Sequence, residues 1–186
     1  MLLSWALSAH AGQVFCRIST GGVGVPTYSE TISVTDAGLP GLVFVGMTDP
    51  GQQWAQVLNL DSTWSAYQGG LYPPFARYDA GLPASQNVMV PLPVSDGTTG
   101  AIAGWSIYVG YGSLSLQSQQ QIADRRAFLN QNKAKMVANG TWSTEYDSDD
   151  RMKWALVQQD LTKNNKYHLS LTVPYMDCNP PRGGGG

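Results

Sequence analysis

Between Val14 and Val109 short apolar runs alternate with turn residues. Ile32 and Val34 stand among Thr31, Ser33 and Thr35, the period-2 pattern of a half-buried strand. Leu42 to Met47 is apolar on both parities and predicts a central strand. Trp54 to Leu60 and Thr63 to Tyr67, joined at Asp61-Ser62, predict a hairpin that Gln68-Gly69-Gly70 ends. Phe75 to Tyr78, Val88 to Val90 and Trp105 to Val109 are further strands. Turn signals recur at Gly38-Leu39-Pro40-Gly41, Asp49-Pro50-Gly51, Asp79-Ala80-Gly81 and Asp96-Gly97. That punctuation points to an antiparallel sandwich or barrel rather than a parallel sheet with crossover helices.

The period changes after Gly112. Ile122, Leu129 and Met136 recur every seven residues, with Ala123, Ala127 and Val137 beside them. They predict one amphipathic helix over Ser115 to Ala138, closed by Asn139-Gly140. A second, shorter helix is predicted from Asp149 to Leu161, with acids at its start and Met152, Ala155, Leu156 and Gln159 on one face. Tyr167, Leu169, Leu171 and Val173 then alternate with His168, Ser170 and Thr172, a final half-buried strand with His168 on its polar side. The expected fold is mainly β: an antiparallel β-sandwich with a C-terminal helical insertion over about 115–161, one long helix and one short.

Composition narrows the class. The 186 residues fit a single domain over 12–182, and charged residues are only 13% of them. Net charge is −2, which leaves no basic surface for nucleic acid. The charge is uneven: residues 1–100 carry two bases against six acids, and the remainder nine bases against seven acids. The apolar run Leu2, Leu3, Trp5, Ala6, Leu7, followed by Ala9-His10-Ala11, reads as the remnant of a signal peptide over 1–11, although the usual positive n-region is missing. No apolar stretch is long enough to span a membrane. Cys16 and Cys178 are an even pair behind that segment and predict a disulfide clasping the terminal strands, two separate buried thiols being the alternative. The Gly183 to Gly186 run reads as a flexible tail.

Candidate chemistry is sparse. His168 is the only histidine left after signal cleavage, so neither a nucleophile–histidine site nor a histidine-based zinc site is expected. Glu145, Asp147, Asp149 and Asp150 cluster, but a calcium loop counted from Asp147 meets Arg151 at its fifth position and Met152 where glycine belongs. The bland reading is that Asp147 or Asp149 caps the following helix. Gly110-Tyr111-Gly112 lacks the third glycine of a dinucleotide loop. No cofactor and no metal is expected. The aromatic run from Trp64 through Tyr67, Tyr72 and Phe75 to Tyr78 has two readings: core packing, or a platform on which sugar rings stack.

Three segments carry a resemblance: Trp64-Ser-Ala-Tyr-Gln-Gly-Gly with Tyr72-Pro73-Pro74, then Ile107-Tyr-Val-Gly-Tyr-Gly, then Asn165-Lys-Tyr-His-Leu-Ser-Leu-Thr-Val-Pro. Together they resemble uncharacterised β-sandwich modules of large secreted, pilus- or surface-associated bacterial proteins, from which this chain departs by its long helix after Gly112. The resemblance implies an exported protein, periplasmic or at the cell surface, with a structural or adhesive role and no catalytic motif. The expectation is a non-enzymatic module that binds another protein, a second copy of itself or a surface. The alternative is a carbohydrate-binding module using Trp64, Tyr67 and Tyr72. For a protein contact, the candidates are Phe128, which lies off the apolar stripe of the long helix, and Arg126 beside it.

Overall fold

The structure is a computed structural model that describes residues 11–19, 22, 24–144 and 148–179. The signal-like segment before Ala11, the acids Glu145 and Asp147, and the glycine tail lie outside the described residues. The chain is mainly β, with two antiparallel sheets and two helices. The smaller sheet has the order β1 (Gln13–Ile18), β2 (Gly24–Ser33), β7 (Ser85–Pro91). The larger runs β5 (Trp64–Ala66), β4 (Ala55–Leu58), β3 (Gly41–Thr48), β8 (Ser106–Ser113), β9 (Tyr167–Thr172). β6 (Ala76–Tyr78) pairs with the start of β3, on the edge whose other end β4 occupies. Helices α1 (Leu116–Ala138) and α2 (Asp149–Lys163) lie between β8 and β9 in the chain.

Strand β3 organises both apolar cores. Its inward residues Val43, Val45 and Met47 join Tyr28 and Ile32 of β2, Val88 and Val90 of β7, and Ile107 and Val109 of β8 in one buried cluster between the sheets. Its outward residues Leu42 and Phe44 join Leu114, Ile122, Val157 and Leu161 in a second cluster beneath the helices. The run that is apolar on both parities is indeed a central strand with both faces covered. The predicted hairpin also forms: Leu58 pairs with Trp64, and the Asp61 carboxylate accepts from the Thr63 amide at 3.0 Å.

Helix α2, not the long helix, covers the sheet. Gly110 and Gly112 of β8 make room for it: a Cβ on Gly112 would sit 2.1 Å from the Val157 carbonyl oxygen, and one on Gly110 would sit 2.7 Å from Leu161 Cδ1. The glycines weighed as a nucleotide loop therefore lie inside a strand, under a helix. Ser148 caps α2 by accepting from the Arg151 amide, so the cap is neither Asp147 nor Asp149; Asp149 and Asp150 occupy the first turn. Helix α1 is capped by Ser115 and ends with Asn139 and Gly140, the latter at φ 67°. It leans on α2 and buries only Ile122 and Leu129.

One polar node binds α2 to the sheet. The Lys166 ammonium bonds Asp36 and, at 2.6 Å, Asp160 of α2. The buried Ser113 at the end of β8 gives its amide to Asp160 (2.7 Å) and its hydroxyl to Asp36 (2.7 Å). Burial opposes the charge on Asp160, but Lys166, the Ser113 amide and Asn164 outweigh it and hold the carboxyl below its usual range. Burial likewise opposes the Lys166 charge, and the two carboxylates still raise it above its ordinary value.

Strand β9 departs from the expected alternation. Tyr167 and Leu169 face solvent, while His168 and Ser170 face the smaller sheet. The cause is a bulge: Ile107 pairs with Leu171 and Tyr108 with Leu169, so Ser170 has no partner in the register and the parity flips there. Leu171 beyond the bulge packs on the inter-sheet core as the pattern predicts.

The chain after β9 returns to the smaller sheet, where Cys178 forms a disulfide with Cys16 of β1 across a separation of 162 residues. Gly24 leaves space for it, since a Cβ there would lie 1.9 Å from the Cys178 carbonyl oxygen. Among the described residues no helix is long and apolar enough to cross a membrane.

Two predictions follow from these ties. Closing so long a loop stabilises by about 5 kcal/mol at most in the chain-entropy account. Reduction, or Cys16→Ser with Cys178→Ser, is expected to lower the thermal midpoint by up to about 10–20 °C, read by circular dichroism with and without reductant. The polar node sets a pH window. Asp160, lowered on folding, contributes fully above the unfolded carboxylate range and loses its contribution as pH falls through the folded value. Lys166, raised on folding, contributes fully below its ordinary 10.5 and loses it as pH rises through the folded value. Urea midpoints measured across pH should therefore fall at both extremes, and Asp160→Asn should flatten the acid limb.

Candidate functional site

Helix α2 covers only part of the outer face of the larger sheet. It lies over the Leu42–Phe44 end of β3. Alternation places Gly46 and Thr48 of β3 on the same face, beside Val57 of β4 and Tyr108 of β8. These residues line a groove of about 380 Å³. Tyr67 and Tyr72, which follow β5, line one end, Tyr167 of β9 the other, and Leu161 and Thr162 of α2 one wall. No charged side chain among the described residues lines it.

The aromatic wall is firmly placed. Tyr72 gives its amide to Gln158 (2.7 Å), and its carbonyl accepts from the Trp154 indole (2.8 Å), so α2 holds it at two points. Its ring meets Phe44 edge-on at 6.4 Å and lies 4.8 Å from Tyr67, tilted by 43°. The Tyr67 hydroxyl donates to the Gly70 carbonyl at 2.7 Å. Partial burial, with Tyr72 adding to it, raises the Tyr67 phenol above its usual range, so it stays a neutral donor. Trp64 is not part of this wall. It packs against the inter-sheet core, and its indole donates to the Pro91 carbonyl of the smaller sheet at 2.8 Å. Phe75 and Tyr78 pack on the same core. The aromatic run is thus divided between the two faces of one sheet.

A second hollow, about 430 Å³, lies between α1, α2 and the β6 edge, above Leu42, Leu114, Ile122 and Val157. Most of its rim charges are paired, Lys153 being the exception among the described residues. Arg77 holds Asp150 through two bonds of 2.8 Å and both oxygens of Asp79 at 3.1 and 3.0 Å. Arg126 pairs with Asp149 and so joins α1 to α2 while its side chain stays exposed. Phe128 is 49% exposed, with the Arg125 guanidinium 5.5 Å from its ring centre. Cys16 and Cys178 form the clasp described above.

A polar knot ties β2 to β9. His168 Nε2 lies 2.7 Å from Glu30 Oε1, the Tyr28 hydroxyl bonds Glu30 Oε2 at 2.5 Å, and Ser170 Oγ lies 2.8 Å from that hydroxyl. Glu30 is only 4% exposed. Burial, with Glu30 adding to it, pushes the Tyr28 phenol far above its usual range. Gly12 closes over the knot, since a Cβ there would sit 2.1 Å from Ser170 Oγ. The expected solvent-facing His168 is therefore an inward partner of a buried carboxylate. Its serine neighbour bonds Tyr28, so the three do not form a nucleophile–base–acid relay.

Comparison of the chain with protein-family models, curated proteins and solved structures returns no match.

Sequence reasoning reached Tyr67 and Tyr72 but not Gly46, Tyr108 or Tyr167. Tyr108 was within reach, because it alternates with the inward Ile107 and Val109. Tyr167 was not, because the bulge reverses the parity on which it was placed inward.

The knot gives a third prediction. His168→Ala leaves the Glu30 carboxylate buried with one partner fewer and should destabilise on the order of 2 kcal/mol. Glu30→Gln combined with His168→Ala should cost less than the two changes summed, which a double-mutant cycle of urea midpoints measures.

Proposed function

We propose that the chain is an exported binding module of a surface assembly, built as a β-sandwich closed by the Cys16–Cys178 disulfide, which holds its ligand without turning it over. The observation that carries this reading is the groove on the outer face of the larger sheet. It has the size of a ligand site and is mostly apolar and aromatic, as such sites are. Among the described residues its lining offers hydroxyls but no carboxylate, imidazole, ammonium or thiol to activate them, which supports binding without turnover. Arg77, Asp150, Arg126, Asp149, Lys166, Asp36 and Asp160 around α2 are spent on ion pairs within the fold. Export is supported by the disulfide and by the signal-like first residues. The pilus or surface role rests on the sequence resemblance.

A protein contact through α1 is the second reading. It is favoured by a 23-residue helix that buries only two side chains and leaves Phe128 half exposed.

Retention on immobilised surfaces separates these readings. The folded protein is offered beads bearing a neutral polysaccharide, an acidic polysaccharide, collagen or a second copy of the chain. Retention on at least one, weakened at least about tenfold by Tyr108→Ala with Tyr67→Ala, is expected. Retention that survives those changes and is lost in Phe128→Ser moves the contact to α1. Retention on none overturns the binding-module reading.

A further inference from the structure

Gly46 stands in the middle of β3, the strand covered most completely on both faces, where glycine weakens a strand. Other glycines in the sheets answer to packing: Gly41, Gly110 and Gly112 each lie so close to a neighbour that a Cβ would come within 2.7 Å. Gly46 answers to nothing of that kind. Its φ is not in the left-handed region, and a Cβ there would meet only the Gln56 carbonyl oxygen at 3.3 Å and Val57 Cγ1 at 3.8 Å. By the alternation of β3 that Cβ would point into the groove. The missing side chain is what gives the groove its depth, and a bare backbone at a strand interior is where a ligand can come close.

The lining describes the ligand. With no charged side chain among the described residues of the lining, nothing there would neutralise an anionic or cationic ligand on desolvation. The floor strands β4, β3 and β8 are paired on both sides, so a peptide cannot add as a strand, and its amides would find few partners. A pyranose ring has different needs. Its C–H face rests on the negative face of an aromatic ring, and its hydroxyls can stay in water or bond to phenols. Tyr67, Tyr72, Tyr108 and Tyr167 supply those rings, and the hydroxyls of Tyr108 and Tyr167 bond no other residue among those described. From β4 to β9 is three strand spacings, about 14 Å, which suits several linked rings rather than one sugar.

We infer that the groove binds a short stretch of a neutral polysaccharide, laid across the strands over Gly46 between the Tyr67–Tyr72 pair and Tyr167. This rests on the reading of the chain as a binding module.

The test is affinity electrophoresis of the disulfide-intact protein in gels containing neutral β-glucan, galactomannan or xyloglucan, with alginate and hyaluronan as acidic controls. Retardation by at least one neutral polymer and by neither acidic one is expected. Gly46→Val fills the floor with a residue that strands favour, at the cost of a small shift of the Gln56 carbonyl, so it should weaken binding at least about tenfold in a variant that still unfolds cooperatively. Should that variant misfold, Tyr108→Ala serves in its place, and Tyr108→Phe should keep most of the affinity because the ring remains. Retardation that survives both Gly46→Val and Tyr108→Ala removes the site. No retardation by any neutral polymer, from a protein still held on collagen or acidic beads through Tyr108, overturns the ligand class and leaves the module reading standing. No retention in either assay overturns both.

Discussion

Strand β3 has no polar face, and the arrangement of the molecule answers to that. A strand apolar on both sides must be covered on both sides. The smaller sheet covers Val43, Val45 and Met47, and α2 covers Leu42 and Phe44. The second cover needs a flat approach, which Gly110 and Gly112 of the neighbouring strand provide, and an anchor, which Asp160 provides by meeting Lys166 and Ser113. A helix of 15 residues is about 22 Å long and crosses only part of the face. The remainder is the groove. Site and core are thus two results of one constraint: what the helix does not reach stays open.

Much of this was legible in the sequence because it depends on local alternation. Ile32 and Val34 bury as their spacing says, and the hairpin about Asp61-Ser62 forms where the turn residues stand. Trp64 and Tyr67, of opposite parity, reach opposite sides of the sheet. The disulfide needed only an even cysteine count and a signal-like segment. What escaped has a common cause. The bulge at Ser170 displaces one residue in a register that no periodicity reports. The Lys166 node joins residues 130 positions apart. Which helix covers the sheet is decided by missing side chains in β8, not by the apolar stripe of α1, whose sevenfold repeat was the stronger signal. The groove, too, exists through an absence at Gly46, which a pattern of residues present does not display.

Charge and its absence divide the surface. The hollow beside α1 is as large as the groove, but its rim is charged, with Arg77 tied to Asp150, Arg126 to Asp149, and Lys153 beside them. The groove has the unengaged phenols of Tyr108 and Tyr167 and, among the described residues, no charged side chain. A fold with only 13% charged residues has used many of them to join helices to sheet, leaving an uncharged aromatic surface elsewhere. That division favours recognition by ring faces over recognition by salt bridges, and such contacts lose little when ionic strength changes.

The clasp between Cys16 and Cys178 has a mechanical consequence. Tension applied to the chain on either side of those cysteines passes from one sulfur to the other and bypasses the 162 positions that separate them. Only Gln13 to Phe15 of β1, which precede Cys16, can be peeled from β2; the strands inside the loop are neither sheared nor peeled, because the covalent shortcut bears the force. A chain clasped this way keeps those sheets folded under a pull that would unzip an unclasped sheet of the same stability, and its groove keeps its shape while the flanking chain is stretched.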